Sequence, residues 1–250
     1  MKFFGRELLT TMVLGLIALS VMAFVMADPT GPDTVAAGAG GRRTITVTSN
    51  NTGALAGNVT PLDITQTRVT TFWQGYYGNI SGTIVLGNAA GSNLYQWSEA
   101  SPQGEIYATK NSTTINWTNV GCANETQVVN EDTWLGATVA STDSAKKTFS
   151  LTTHPSFQIG TKTIAGCRSQ SINASGGGSA FWEALLVDNG TSGASMDDDV
   201  VVYAAVLENN VNGFDGGLHD FQMLVGEPGS GSQQYPNGNP TTYYFYVELA

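Results

Sequence analysis

Charged residues are scarce in this 250-residue chain, where Lys, Arg, Asp and Glu together make up 12% of the sequence, about half the share in ordinary soluble domains. Most of them are acidic, and adjacent basic residues occur only at Arg42-Arg43 and Lys146-Lys147. Because binding to nucleic-acid phosphates needs clustered cations, we expect no nucleic-acid partner. A surface with so little charge needs another source of solubility, which Asn amides, hydroxyls and attached sugars can supply.

Residue types that serve catalysis and metal binding are scarce too. The two histidines, His154 and His219, accompany no Gly-x-Ser-x-Gly motif, and the two cysteines form no Cys-x-x-Cys or Cys/His grouping. We therefore expect no zinc, haem or iron–sulfur site and no other cofactor. Glu99 and Glu105 have the residue type of a glycosidase pair, but we interpret both as surface-turn residues, since Glu is seldom buried without a partner. The protein is predicted not to be an enzyme.

The N-terminus has the layout of a secretory signal. Lys2 and Arg6 precede an uncharged apolar run from Leu8 to Ala27, and a small residue at position 27 favours cleavage there. The run is also long enough to span a bilayer if it is retained as an anchor. Both alternatives place the rest of the chain outside the cell, with membrane contact only through residues 8–27 if the signal is retained.

Asn-linked glycosylation is predicted from an excess of acceptors. Chance would give about three to four Asn-x-Ser/Thr sites in this composition, and the sequence has eight. They are Asn50, Asn58, Asn79, Asn111, Asn116, Asn124, Asn173 and Asn189. With the signal, they indicate an extracellular protein at the cell surface.

Cys122 and Cys167 are the only cysteines. In an oxidising exterior, two cysteines favour one intrachain disulfide. The bridge would close a loop of 45 residues, which is worth about 4 kcal/mol in the chain-entropy model. Two free buried thiols are the alternative.

Short β-rich runs separated by Gly, Asn, Pro and Ser predict an all-β fold, an antiparallel β-sandwich of the jelly-roll or Ig-like type. Residues 28–43 lack apolar periodicity and predict a flexible tether, while Thr44–Thr48 alternates like a half-buried strand. The sandwich domain is predicted over residues 44–250, with a division near residues 175–179 as an alternative. Further strands are predicted at 69–77, 80–86, 94–97, 105–109, 114–117, 148–152, 181–187, 200–207, 221–225 and 243–249.

Two local patterns refine this prediction. Val128 to Ala137 is the only candidate for a helix after the signal, and it lies inside the disulfide loop. In the closing strand, Phe245, Val247 and Leu249 would share one face. A terminal strand this apolar must be covered, either within its own sheet or between subunits.

Three residue groups have a ligand-binding interpretation beside a structural one. The aromatic residues Trp73, Tyr76 and Tyr77 either pack in the core or form a platform for sugar rings. The run Asp197, Asp198 and Asp199 has the oxygen ligands that calcium prefers, although runs of like charge are usually solvated turns. Asp215, His219 and Asp220 form a second polar group in a Gly-rich loop, with the same two interpretations.

The stretch Trp73-Gln74-Gly75-Tyr76-Tyr77-Gly78-Asn79-Ile80-Ser81-Gly82, together with Leu94-Tyr95-Gln96-Trp97 and the Tyr-rich closing strand, resembles secreted archaeal cell-surface glycoproteins of the filament type. The likeness covers about a third of the chain. It implies a surface or filament protein and assigns no functional residues.

From these observations we predict a structural protein, a homopolymeric subunit of a cell-surface filament or surface coat. In this hypothesis the tether and Thr44–Thr48 of one subunit add as a strand to the sheet of the next. A carbohydrate-binding surface module with glycan partners, using calcium near Asp197–Asp199, is the alternative. An extracellular hydrolase, which would need carboxylates converging in a cleft, is the third class.

Overall fold

The computed structural model describes residues 28–46, 51–99, 102–111, 115–138, 140–173, 179–188, 200–228 and 240–249. Within these ranges the regular structure is mostly β-strand, with two helices, and the strands pair antiparallel. This confirms the predicted all-β class with antiparallel sheets. No helix within the same ranges is long and apolar enough to cross a membrane.

The elements follow one another along the chain in this order. They are β1 (Trp73–Gly78), β2 (Gly82–Gly87), β3 (Asn93–Glu99), β4 (Gly104–Thr109), β5 (Val120–Cys122), α1 (Glu125–Leu135), α2 (Ala145–Thr148), β6 (Phe157–Ile159), β7 (Lys162–Ile164), β8 (Ser169–Asn173), β9 (Ser179–Asp188), β10 (Val200–Val206), β11 (Val211–Asn212), β12 (Leu218–His219), β13 (Phe221–Gly226) and β14 (Tyr244–Leu249).

The main sheet has the strand order β14-β4-β10-β9-β5, and β8 also pairs with β9. Two short strands share one edge of β9: β8 pairs with its first part, up to Ala184, and β5 pairs with its end, from Leu186. Cys122 ends β5, and Cys167 lies two residues before β8. Their sulfur atoms are at bonding distance, with Cα atoms 4.9 Å apart. The bridge that the sequence predicts thus fastens the two short strands to each other.

The main sheet is buried on both faces. Along β10, Tyr203 and Ala205 pack into a cluster with the helices and β13, whereas Val202 and Ala204 pack into a second cluster with the β6–β7 hairpin and Trp117. Successive side chains of a strand point to opposite faces, so a strand that is covered on both sides is apolar throughout. This explains the unbroken apolar run of β10.

A two-stranded ribbon of β1 and β13 lies over the first of these clusters. Met223 and Val225 of β13 are buried in it, and the backbone N–H of Leu224 donates to the carboxylate of Glu183 in β9 at 3.1 Å. Three further pairs, β2–β3, β6–β7 and β11–β12, form separate two-stranded sheets.

Helix α1 begins and ends at residues suited to those positions. The Asn124 side chain accepts from the Gln127 N–H, and the Gln127 side chain accepts from the Asn124 N–H, which is a capping box. Gly136 ends the helix with φ 73°, a left-handed conformation that costs glycine little. The sequence places this helix correctly, but it begins at Glu125, earlier than the predicted Val128, because the polar cap residues carry no apolar periodicity.

Several predicted strands are wrong. Residues 44–46 lie outside any strand, the remainder of Thr44–Thr48 is outside the described residues, and the first strand begins at Trp73. Residues 115–117 form no strand, and Thr148 ends a helix because Ser144 caps one there. The sequence does not predict β5, β6, β7, β8, β11 and β12; all but β8 have only two or three residues, too few to establish an alternating pattern. The proposed division near 175–179 lies mostly outside the described residues, and the flanking strands β8 and β9 pair with each other.

Candidate functional site

The segment that directly follows the predicted signal lies against the last strand of the main sheet. Thr30 and Val247 form an antiparallel bridge, in which the Thr30 N–H donates to the Val247 carbonyl at 3.1 Å and the Val247 N–H donates to the Thr30 carbonyl at 2.8 Å. Pro29 is buried beside them. The start of the predicted tether is therefore a very short outer strand on β14.

Most of this outer edge of β14 stays open. In an antiparallel strand alternate residues direct their N–H and C=O groups to the same side, so those of Phe245 and Leu249 point the same way as those of Val247. In the described part of the chain, no backbone group pairs with either residue on that side. The edge therefore offers backbone hydrogen-bonding groups to a strand longer than the one it holds.

A long linking segment, residues 31–71, joins the Thr30 bridge to β1. Its described residues contain no strand or helix, and nearly all of them are exposed. Four large apolar side chains on it are between 63% and 99% exposed. They are Leu55, Val59, Leu62 and Ile64.

The aromatic group of the sequence prediction divides between core and surface. Trp73 packs its ring 5.9 Å from Phe149, and its indole N–H donates to the Asp143 carbonyl at 2.7 Å. Tyr76 packs edge-on against Phe245 at 5.5 Å, and burial followed by the nearby Glu227 raises the pKa of its hydroxyl. These two residues therefore follow the core interpretation.

Tyr77 is half exposed and packs against a second exposed ring. Its ring centroid lies 4.9 Å from that of Phe214 and 4.8 Å from that of His219. A groove of about 660 Å³ runs along this ribbon, and its lining includes Tyr77, Phe214, Leu224 and Arg42. Trp73 and Tyr76 also line this groove, and Tyr77 is the most exposed of the three predicted aromatic residues.

The polar group near His219 stabilises loops. Both carboxylate oxygens of Asp220 accept backbone N–H groups, from Ile80 at 2.8 Å and from Asn210 at 3.0 Å. The hydrogen bond from His219, 2.9 Å long, lowers the pKa of the Asp215 carboxyl. No group of three or more His, Cys, Asp or Glu residues within the described ranges is arranged to hold a metal ion. Asp197, Asp198 and Asp199 lie outside those ranges.

Three glutamates are buried in the main sheet. Glu105 of β4 faces Glu248 of β14 as a directly opposed pair. Burial, followed by the neighbouring Glu248, raises the pKa of Glu105 to about 8, and burial raises that of Glu248. Burial likewise raises the pKa of Glu183 to about 8, although its carboxylate accepts hydrogen bonds from Leu224 and Gln170.

The surface-turn interpretation of Glu105 is thus wrong, because this residue lies in a central strand; Glu99, at the end of β3, is half-buried. Sequence reasoning also missed Glu183 and Glu248. The signal that could have revealed all three is a lone Glu inside an apolar strand.

The acceptors for glycosylation remain predictions, but their positions can be compared with what a sugar requires. The side chains of Asn58, Asn79, Asn116 and Asn124 are exposed. Asn111 is half-buried, the side chain of Asn173 is not described, and Asn50 and Asn189 lie outside the described residues. At Asn124 the capping bond uses Oδ1, whereas a glycan attaches through Nδ2, so cap and glycan are compatible.

Comparison with known proteins gives no family for this chain: no family model, no curated protein and no solved structure matches it. The function of this chain is therefore inferred from the contacts of its described residues.

Proposed function

We propose that this protein is an extracellular structural subunit of a cell-surface filament or surface coat, assembled through β-strand addition between copies. The observation that carries the proposal is the Thr30–Val247 bridge, because there the chain already adds its own N-terminal segment to the edge of its main sheet. In the assembled state the same edge receives the N-terminal segment of a neighbouring copy. Exchange of an identical element between copies needs no new kind of contact.

The linking segment makes this exchange geometrically simple. The linking segment, residues 31–71, could span a distance on the order of 100 Å when extended. Its described residues make no strand pairing that would have to break. Only two backbone hydrogen bonds hold Thr30 in place. A donor strand in a neighbour can continue beyond Thr30 along the open groups of Phe245 and Leu249.

Such a contact joins two different surfaces, the N-terminal segment of one copy and the β14 edge of the next. Head-to-tail contacts of this kind grow into a fibre unless rotation closes them into a ring. The donor differs from the Thr44–Thr48 strand that the sequence suggests, since Thr44–Thr46 lie outside any strand.

The architecture fits a building unit outside the cell. We take it as a sandwich in which the β1–β13 ribbon and the helices cover one face of the main sheet and the β6–β7 hairpin covers the other. The Cys122–Cys167 pair, the exposed acceptors and the apolar N-terminal run suit an oxidising exterior. The resemblance to archaeal surface glycoproteins agrees with this class of protein.

The proposal is tested with the chain from residue 28 onward, examined by electron microscopy and light scattering. Thr30→Pro removes the N–H that donates to Val247, and we expect it to abolish polymers while leaving a folded, disulfide-bonded chain that forms no fibres. Thr34→Pro is the matched control, because Thr34 is exposed and makes no strand pairing. Deletion of residues 28–48 should act like Thr30→Pro. Polymers of normal length from either altered chain would overturn strand addition at β14.

A second function, carbohydrate binding, is favoured by one observation, the exposed ring pair of Tyr77 and Phe214 beside the groove. Aromatic faces on a β-scaffold can stack on sugar rings. Glycan-array binding that is lost on Tyr77→Ala, with the fold intact, would support this function. Binding that survives that change would remove the ring pair as its site.

A further inference from the structure

The β2–β3 hairpin has one apolar face and one mostly polar face. In its register Ile84 lies opposite Trp97 and Leu86 lies opposite Tyr95, so these four side chains share a face. The other face carries the pairs Thr83–Ser98 and Val85–Gln96. Pairs on a strand alternate between faces, and this pattern is the one expected of a sheet that is covered on one side.

Within the described ranges of the chain, no strand or helix packs across that apolar face. Ile84, Leu86, Tyr95 and Trp97 are 58%, 51%, 58% and 48% exposed. The rings of Tyr95 and Trp97 contact each other, with centroids 4.7 Å apart, and beyond isolated contacts no other described strand or helix packs against the hairpin. An isolated two-stranded hairpin is only marginally stable in water, so the hairpin would gain from a partner.

The distribution of charge along the chain favours a second copy of the chain as the partner of the hairpin. Residues 28–250 carry eight Lys and Arg and 19 Asp and Glu, a net charge of −11, so two copies repel each other over most of their surfaces. From Val69 to Ser98, however, the sequence contains no charged residue and no histidine. The hairpin is therefore a surface on which two identical acidic chains can meet without opposing like charges.

The hairpin itself carries no glycosylation acceptor. No Asn-x-Ser/Thr acceptor lies between Gly82 and Glu99; the nearest are Asn79 and Asn111. The apolar face exposes about 500 Å² of side-chain surface, given the exposed fractions above and ordinary side-chain sizes. Two such faces in contact would hide about 1,000 Å² in total, the lower limit for a specific interface.

We propose that the Ile84, Leu86, Tyr95 and Trp97 face of the β2–β3 hairpin packs against the same face of a second copy, about a twofold axis. Two stacked hairpins make a small two-layer sandwich in which the rings and aliphatic chains of both copies interdigitate. This contact uses surfaces distant in sequence from Thr30 and does not depend on strand addition. In a filament it would join subunits side by side.

The test measures self-association of the chain from residue 28 onward carrying Thr30→Pro, by sedimentation at about 1–100 µM. The Thr30→Pro substitution removes strand addition between copies but leaves pairing of the β2–β3 hairpins unaffected. Failure of one proposal is therefore distinguishable from failure of the other. We expect a monomer–dimer equilibrium. Ile84→Thr should weaken the dimer by at least about tenfold, because the lost apolar contact is present twice.

The matched control is Val85→Thr. Val85 is the next residue of the same strand, is 51% exposed and points to the opposite face, so we expect less than a twofold change. A photocrosslinking amino acid in place of Tyr95 should yield covalent dimers, and one in place of Gln96 should not. Chains that stay monomeric throughout, or two threonine variants with equal effects, would overturn the proposal. Polysaccharide binding through Trp97 without self-association would overturn it as well.

Discussion

The main sheet and the β2–β3 hairpin are built from similar residues and differ in what covers them. Leu185 and Leu186 of β9 are fully buried, whereas Leu86 of β2 is half exposed. Both strands alternate their side chains between two faces, and both contain large apolar residues. The difference is that helices, ribbon and loops of the same chain pack on β9, whereas no element of the described chain packs on β2. An apolar strand that no element of its own chain packs against is expected to pack against another molecule.

The sharpest way to test this comparison is one substitution in each region. Leu185→Ala should destabilise the chain by about 2–5 kcal/mol, because it leaves a cavity in the packed core. Leu86→Ala should change the stability of the monomer by less than about 0.5 kcal/mol, since the side chain is already in water. Denaturant unfolding of dilute protein measures both values, and equal effects would mean that the hairpin is covered in the monomer.

The disulfide should have the next largest effect. Replacing Cys122 and Cys167 together by Ser should cost up to about 4 kcal/mol through the lost constraint on the unfolded chain. Because the bridge joins β5 to β8 at the edge of β9, amide exchange should accelerate first in those two strands and not in the hairpin. Uniform acceleration across all strands would show that the bridge does not act locally.

The buried carboxyls make the stability of the main sheet depend on pH. Glu183 has a folded-state pKa of about 8, above the value of an exposed Glu. Between these two pKa values, Glu183 keeps its proton in the folded chain and has lost it in the unfolded chain. Stability is then highest below about pH 4.5, falls as the pH rises to about 8, and changes no further above that pH. Glu105, with the same shift, adds to this slope.

Glu183→Gln should remove the part of the fall in stability between low and high pH that comes from Glu183. We expect this part to be about 2–4 kcal/mol, once relaxation and water penetration are allowed for. Thermal unfolding from pH 4 to 9 measures the slope in both chains. An unchanged slope would show that Glu183 does not titrate in this range. Val85→Thr, which changes no titratable group, is the control and should leave the slope as it is.

The sequence predicts those parts of this fold that depend on local pattern. The runs of β-branched and aromatic residues in β1, β4, β9, β10 and β14 identify strands, and export together with two cysteines predicts the bridge. A lone Glu inside an apolar strand is visible in the sequence, but the groups that surround Glu105, Glu183 and Glu248 depend on which strands become neighbours. The pairing of Thr30 with Val247 joins residues more than 200 positions apart through a single bridge, and so short a contact leaves no periodicity to detect.

The smallest effect concerns an acceptor that also caps a helix, Asn124. Asn124 caps helix α1 through Oδ1 and offers Nδ2 to a glycan. Asn124→Ala removes both functions and should cost about 1 kcal/mol from the lost cap. Asn124→Asp keeps a capping oxygen at the helix N-terminus, where a negative charge is favourable, and removes only the acceptor. Denaturant unfolding of the two altered chains in unglycosylated form isolates the cap, and the same comparison in glycosylated material isolates the sugar. If the aspartate chain is as destabilised as the alanine chain without sugar, the cap is not what Asn124 contributes, and the helix is held by the packing of Val128 and Leu135 alone.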